Sequence, residues 1–153
     1  MKTILIVYHS QGGVTEQMAR AVSDGAAEIE GCTVCLKQAH AAGVDDLLHA
    51  DGIIIGSPEY FGYMAGAVKD FFDRTYEQAH ADPRLFRKPY SVFIAAGNDG
   101  TGALSSIERI CRGYRLKKVC EPVVVTGGLT EEGCERCREL GKTIAAGCVE
   151  EIY

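Results

Sequence analysis

Four short stretches, Thr3–Tyr8, Gly52–Gly56, Tyr90–Ala96 and Pro122–Thr126, are largely aliphatic, with no strict alternation of apolar and polar, and each is closed by turn residues. A strand with one wet face alternates apolar and polar side chains, so near-continuous apolar runs of this length mark strands covered on both faces. Thr33–Lys37 is a weaker fifth candidate. Between the runs lie residues at helical spacing: Met18, Val22, Ala26 and Ile29; Val68, Phe71, Phe72 and Thr75; Leu104, Ile107, Cys111 and Tyr114; then Cys134, Cys137, Ile144 and Cys148. Helix alternating with buried strand predicts a parallel sheet sheathed on both sides. Over Gln38–Asp51 only Asp45–Leu48 suggests a short helix, and the polar, proline-containing Ala79–Pro89 reads as a surface connection.

At 153 residues the chain has the size of one domain, so a single unit spanning 1–153 with one site is expected. Its 21 Asp and Glu exceed its 16 Lys and Arg. That balance argues against nucleic acid as a partner, because phosphate neutralisation needs clustered positive charge. The seven cysteines are odd in number and no secretory leader precedes Ile4–Val7, so reduced thiols in a cytoplasm are expected. No apolar run approaches the roughly 18 residues of a membrane span.

In such a sheet, ligands bind outside the carboxyl ends of the strands. That directs attention to three loops: Tyr8–Thr15, Ser57–Gly66 and Gly97–Gly102. In the first, a strand turns through Gly12 and Gly13 into a helix, whose first amides then point outward at the positive end of the dipole. Such a turn is an anion site made of backbone, to which Ser10 and Thr15 add hydroxyls. The loop holds no lysine or arginine. A terminal phosphate monoester needs none, whereas a nucleotide triphosphate usually comes with the lysine of a Walker loop. The alternative is plain: Ser10 and Thr15 cap the helix and the glycines only turn the chain.

Ser10-Gln11-Gly12-Gly13-Val14-Thr15 resembles the phosphate loop of the flavodoxin-like flavoproteins, whose pattern is Thr/Ser-x-x-Gly-x-Thr after the first strand. The second loop, from Gly56-Ser57-Pro58-Glu59-Tyr60-Phe61-Gly62-Tyr63-Met64-Ala65-Gly66 into Val68-Lys69-Asp70-Phe71-Phe72-Asp73-Arg74, is similar to a segment of that superfamily's NAD(P)H-dependent quinone and FMN reductases. The resemblance implies a flavodoxin-like three-layer α/β sandwich with a five-stranded parallel sheet in the order 2-1-3-4-5. It implies FMN as cofactor, with the phosphate on Ser10, Gln11, Gly12, Gly13, Val14 and Thr15. The isoalloxazine would lie between Pro58, Glu59, Tyr60, Phe61, Gly62 and Tyr63 on one side and Gly97, Asn98, Asp99, Gly100 and Gly102 on the other. Tyr60, Phe61 and Tyr63 suit a flat aromatic ring, and the chain has no Trp to serve in their place.

The resemblance further implies an oxidoreductase that takes electrons from NAD(P)H and passes them to a quinone, a flavin or a similar small acceptor. It leaves open a homo-oligomer. Two other functions share the fold: an electron-transfer flavodoxin with no NAD(P)H site of its own, and a module that has lost the flavin. Because the cofactor carries the chemistry, no side chain is assigned as acid, base or nucleophile. Glu59 and Asp99, if near the ring, would disfavour an anionic reduced flavin; otherwise they are solvated loop carboxylates. His9 reads as a partly exposed loop histidine.

Cys134-x-x-Cys137 falls on the stripe of Ile144 and Cys148 and reads as core rather than metal ligand. Arg109, Arg112, Arg115, Lys117 and Lys118 form a basic cluster, either placed to suit a helix C-terminus or serving to dock the NADPH 2′-phosphate or an acidic partner. Other folds of similar topology are excluded. Cys-x5-Arg is absent, the third strand ends in Gly56-Ser57-Pro58 rather than an acceptor Asp, and Gly-x-Gly-x-x-Gly does not follow the first strand.

Overall fold

A computed structural model describes all residues, 1–153. The chain runs β1 (Lys2–Tyr8), α1 (Val14–Ala27), β2 (Cys32–Gln38), α2 (Val44–His49), β3 (Gly52–Tyr60), β4 (Tyr63–Met64), α3 (Gly66–His80), β5 (Pro89–Ala96), α4 (Thr101–Gly113), β6 (Lys117–Lys118), β7 (Val123–Thr126) and α5 (Glu131–Val149). The sheet has the order β2-β1-β3-β5, and β6 and β7 share the far side of β5. These pairings are all parallel, so the expected five-strand order holds with β5 and β7 as its fourth and fifth members.

The sheet is covered on both faces, as near-continuous apolar runs require. Along β1, Ile4, Ile6 and Tyr8 pack with Met18 and Val22 of α1 and Ile144 of α5. Leu5 and Val7 point the other way, into a core with Phe71 and Phe72 of α3 and Ile107 and Cys111 of α4. Three layers result. Of the cysteines expected in the core, Cys137 and Cys148 are buried, but Cys134 stands one turn nearer the helix start and is only half-buried.

Two differences from the sequence-based expectation bear on the site. β3 continues four residues beyond Gly56, because Ser57 and Pro58 stay in register with Ile94 and Ala95 of β5. The expected loop after it is instead a hairpin, in which Glu59 and Tyr60 pair antiparallel with Met64 and Tyr63. The second difference is at the edge. β6 pairs with Pro89 and Tyr90 and β7 with Phe93 to Ala96, and between them the Ser91 hydroxyl donates to the Cys120 carbonyl at 3.1 Å.

The Ala79–Pro89 connection ends in a buried lysine. Lys88 Nζ donates to the carbonyls of Leu47 and Leu48 at the end of α2, where a cation satisfies orphan carbonyls and the negative dipole end together. Burial nevertheless lowers its pKa to about 8.

Burial pushes the Cys137 thiol up to about 12 and the Cys148 thiol up to about 11, and it raises that of Cys111. Thiols of an unfolded chain ionise near about 8.5. Between these values the folded chain holds protons that the unfolded chain has released. The stability contributed by neutral thiols is therefore full below the unfolded value and lost as pH rises. Lys88 opposes this, since stability rises as pH passes from its folded to its higher unfolded value, but one ammonium is set against three thiols. Urea unfolding midpoints are expected to fall from pH 8 to pH 10.5, and Cys137→Ala is expected to flatten the fall.

Candidate functional site

Because the strands are parallel, the ends of β1, β3, β5 and β7 meet at one edge of the sheet. A cleft of about 260 Å³ opens there. Its floor is Ala95, Ala96 and Gly97 at the end of β5, and its sides are the turn before α1 and the outer part of β3.

The turn before α1 is built around Gly13, whose φ of +95° puts it in the left-handed region that disfavours any residue with a Cβ. Gly13 is the N-cap, and no side chain caps the helix. Ser10 Oγ accepts from the Gly13 amide at 3.1 Å, which holds the turn and leaves the Ser10 hydroxyl hydrogen free to donate. Thr15 lies inside the helix, 2% exposed, against the cleft. The plain capping alternative therefore fails: Ser10 braces the turn, and Thr15 stands two residues past the cap position held by Gly13.

The two helices that follow β5 and β7 start differently. α5 is capped by Thr130 Oγ1, which accepts from the Gly133 amide at 3.1 Å. α4 has two carboxylates on its first turn: Asp99 Oδ1 accepts from the Thr101 amide and Glu59 Oε2 from the Ala103 amide, each at 3.0 Å. The Thr101 amide holds the Asp99 carboxyl below the usual range. Positive dipole ends are thus satisfied at α4 and α5 and left open at α1, on the cleft.

The hairpin is braced from below. Ser57, fully buried, accepts at Oγ from the Ala65 amide at 2.9 Å and donates to the Pro58 carbonyl at 2.7 Å. At the tip, Phe61 and Gly62 both have positive φ, +53° and +71°, as a tight two-residue turn between antiparallel strands demands. Phe61 is wholly exposed and Tyr63 is 43% exposed. The tip is held against α4 at Gly102, where a Cβ would lie 1.9 Å from the Gly62 carbonyl oxygen. Tyr60 ties the hairpin to the first loop, its hydroxyl donating to Gln11 Oε1 at 3.1 Å. The His9 ring meets Tyr60 edge-on at 6.4 Å.

Of the expected site residues, Ser10, Gln11, Gly12, Val14 and Thr15 line the cleft from the first loop, with Pro58, Glu59 and Tyr60 from β3 and Gly97 from β5. Gly13 forms the turn behind them. Phe61 stands in solvent, and Gly62, Tyr63 and Gly102 line a neighbouring groove. Asn98, Asp99 and Gly100 belong to the approach to α4 rather than to the cleft wall. Val125 and Gly128 also line the cleft and were not anticipated. Their signal was present in Gly127-Gly128, a glycine pair directly after the last strand.

Comparison with known proteins supports the fold. A "Flavodoxin" from Aquifex aeolicus is 40% identical, over 95% of this chain and 86% of its own length. The chain belongs to the flavodoxin-like family. Residues 39–114 match the NADPH-dependent FMN reductase model, a span from the end of β2 to the end of α4. An "NAD(P)H dehydrogenase (quinone)" from Acidithiobacillus ferrooxidans is 35% identical over 67% of this chain, which spans only 60% of that relative. In three dimensions the flavodoxin, WrbA-like protein from Agrobacterium tumefaciens superposes with a TM-score of 0.83 over 98% of this chain and 99% of its own, at 22% identity. That likeness speaks for the fold.

Removing the Ser57 hydroxyl strands the Ala65 amide in a buried position. Ser57→Ala is expected to lower the unfolding free energy by about 1–3 kcal/mol, read from urea denaturation.

Proposed function

We propose that the cleft binds FMN non-covalently and that the chain is an NAD(P)H-dependent reductase of quinones, free flavin or similar small acceptors. The observation that carries the proposal is the uncapped start of α1. Open amides, a left-handed Gly13 and the Ser10 and Thr15 hydroxyls converge there without any cation, which suits a phosphate monoester.

FMN, when bound, supplies hydride and single-electron chemistry. The work left to the chain is binding and orientation. The amides of the first turn of α1, with Ser10 and Thr15, would donate to the phosphate. Pro58 and Tyr60 would wall the ring, and the main chain at Gly97 would meet its edge. Glu59, pinned to the Ala103 amide, sets a carboxylate beside the cleft, where it would resist added negative charge. The exposed Phe61 and Tyr63 offer an aromatic surface for a planar acceptor. Seven free cysteines fit a reducing compartment such as the cytoplasm.

The likeness to the Aquifex flavodoxin favours a second reading, an electron carrier that does not oxidise NAD(P)H itself. One cuvette separates the two. Titration with FMN is expected to give a yellow complex, and anaerobic addition of NADPH or NADH is expected to bleach it. A complex that forms but does not bleach favours the carrier, and a protein that takes up no FMN removes both readings. Thr15→Val, close in shape but without the hydroxyl, is expected to weaken FMN about tenfold, equivalent to about 1.4 kcal/mol. Riboflavin, which lacks the phosphate, should bind the variant and the parent alike.

A further inference from the structure

The chain is acidic overall, and most of its cations are matched. Lys69 pairs with Asp73, Arg74 with Asp70, Lys118 with Glu108, and Lys142 with Glu28. Arg109 and Arg112 are exposed and hold no carboxylate and no hydrogen bond. Three residues apart on α4, they share a helix face, where like charges oppose each other. The pull of the helix C-terminus accounts for Arg112, in the last turn, but Arg109 lies beyond that turn.

Both arginines line a groove of about 540 Å³, together with Tyr63, Lys69, Ser105 and Ser106. The groove begins where Gly62 of the hairpin touches Gly102, at the rim of the proposed flavin site. From Gly102 the helix carries Arg109 roughly 10 Å and Arg112 roughly 15 Å away, at about 1.5 Å per residue. A ligand reaching from the hairpin along α4 meets the half-exposed Tyr63 ring first. It next passes Ser105 and Ser106, whose hydroxyls donate to the Gly102 and Ala103 carbonyls and so offer acceptors outward. The free donors come last, at the two arginines. Aromatic face, acceptors, then paired guanidinium groups match an adenosine that ends in a phosphate monoester.

We propose that this groove receives the adenosine 2′-phosphate end of NADPH, and that Arg109 and Arg112 make the chain prefer NADPH to NADH. The inference rests on the reductase reading above. A concave groove suits a small anion better than the flat face of an acidic protein.

The test is calorimetric titration of the FMN-saturated chain with adenosine 2′,5′-bisphosphate and with adenosine 5′-monophosphate. The bisphosphate is expected to bind at least tenfold more tightly. Arg109→Gln with Arg112→Gln should abolish that difference while the thermal midpoint is kept, and Arg87→Gln, an exposed cation outside the groove, should leave it intact. Equal binding of the two nucleotides by the parent chain overturns the proposal, as does a preference that survives the double variant. A double variant that changes the sedimentation coefficient but keeps the preference makes the patch a subunit contact and also overturns it. The FMN titration separates the failures. No yellow complex removes the flavin reading, whereas a yellow complex without a 2′-phosphate preference removes only the groove.

Discussion

Everything at the site depends on one polarity. Because β1, β3, β5 and β7 run in the same direction, their carboxyl ends share an edge of the sheet, and each chain segment leaving that edge starts a turn or a helix there. Parallel pairing demands crossover helices, and those helices bury both faces of the sheet. Burial in turn explains why the strands are aliphatic at almost every position. The cleft is the place where this arrangement has nothing left to pack: the strands have ended and the helices have not yet closed over them.

What distinguishes the turns at that edge is how their helix starts are satisfied. α4 receives two carboxylates, one from its own approach and one reaching over from β3, so its dipole is spent on holding the hairpin in position. α5 receives a threonine. α1 receives no side chain, and its turn is held by a hydroxyl that accepts on the inside and keeps its own hydrogen. The chain thus uses the same electrostatic resource twice, once for rigidity at α4 and once for recognition at α1.

Much of this was legible in the residues. The strand order, both faces of the core and the first loop follow from periodicity, glycine placement and family resemblance. What was harder to read involved contacts between distant segments. Pro58 argues against strand, yet β3 runs through it because β5 keeps pairing alongside. Glu59 and Asp99 read as carboxylates near a ring, but their partners are amides of α4, and Glu59 meets its partner 44 positions away. Val125 and Gly128 escaped notice because the turn after the last strand was not counted among the loops of the site, although the glycine pair there marked a turn at the same edge. Cys134 shares a stripe with Cys137, but a helical stripe does not tell how far along the helix the cover extends.

The divided edge beside β5 has a consequence for life in a crowded solution. A long, straight outer strand is a template on which another chain can add. Here the outer position is held by two residues of β6 and four of β7, with a break at Ser91 between them. Within the longer piece, the Arg136 guanidinium donates to the Val124 carbonyl. A neighbouring chain would find a short, interrupted row of amides with a cation across it. The offset that breaks the ladder thus also guards against edge-to-edge aggregation.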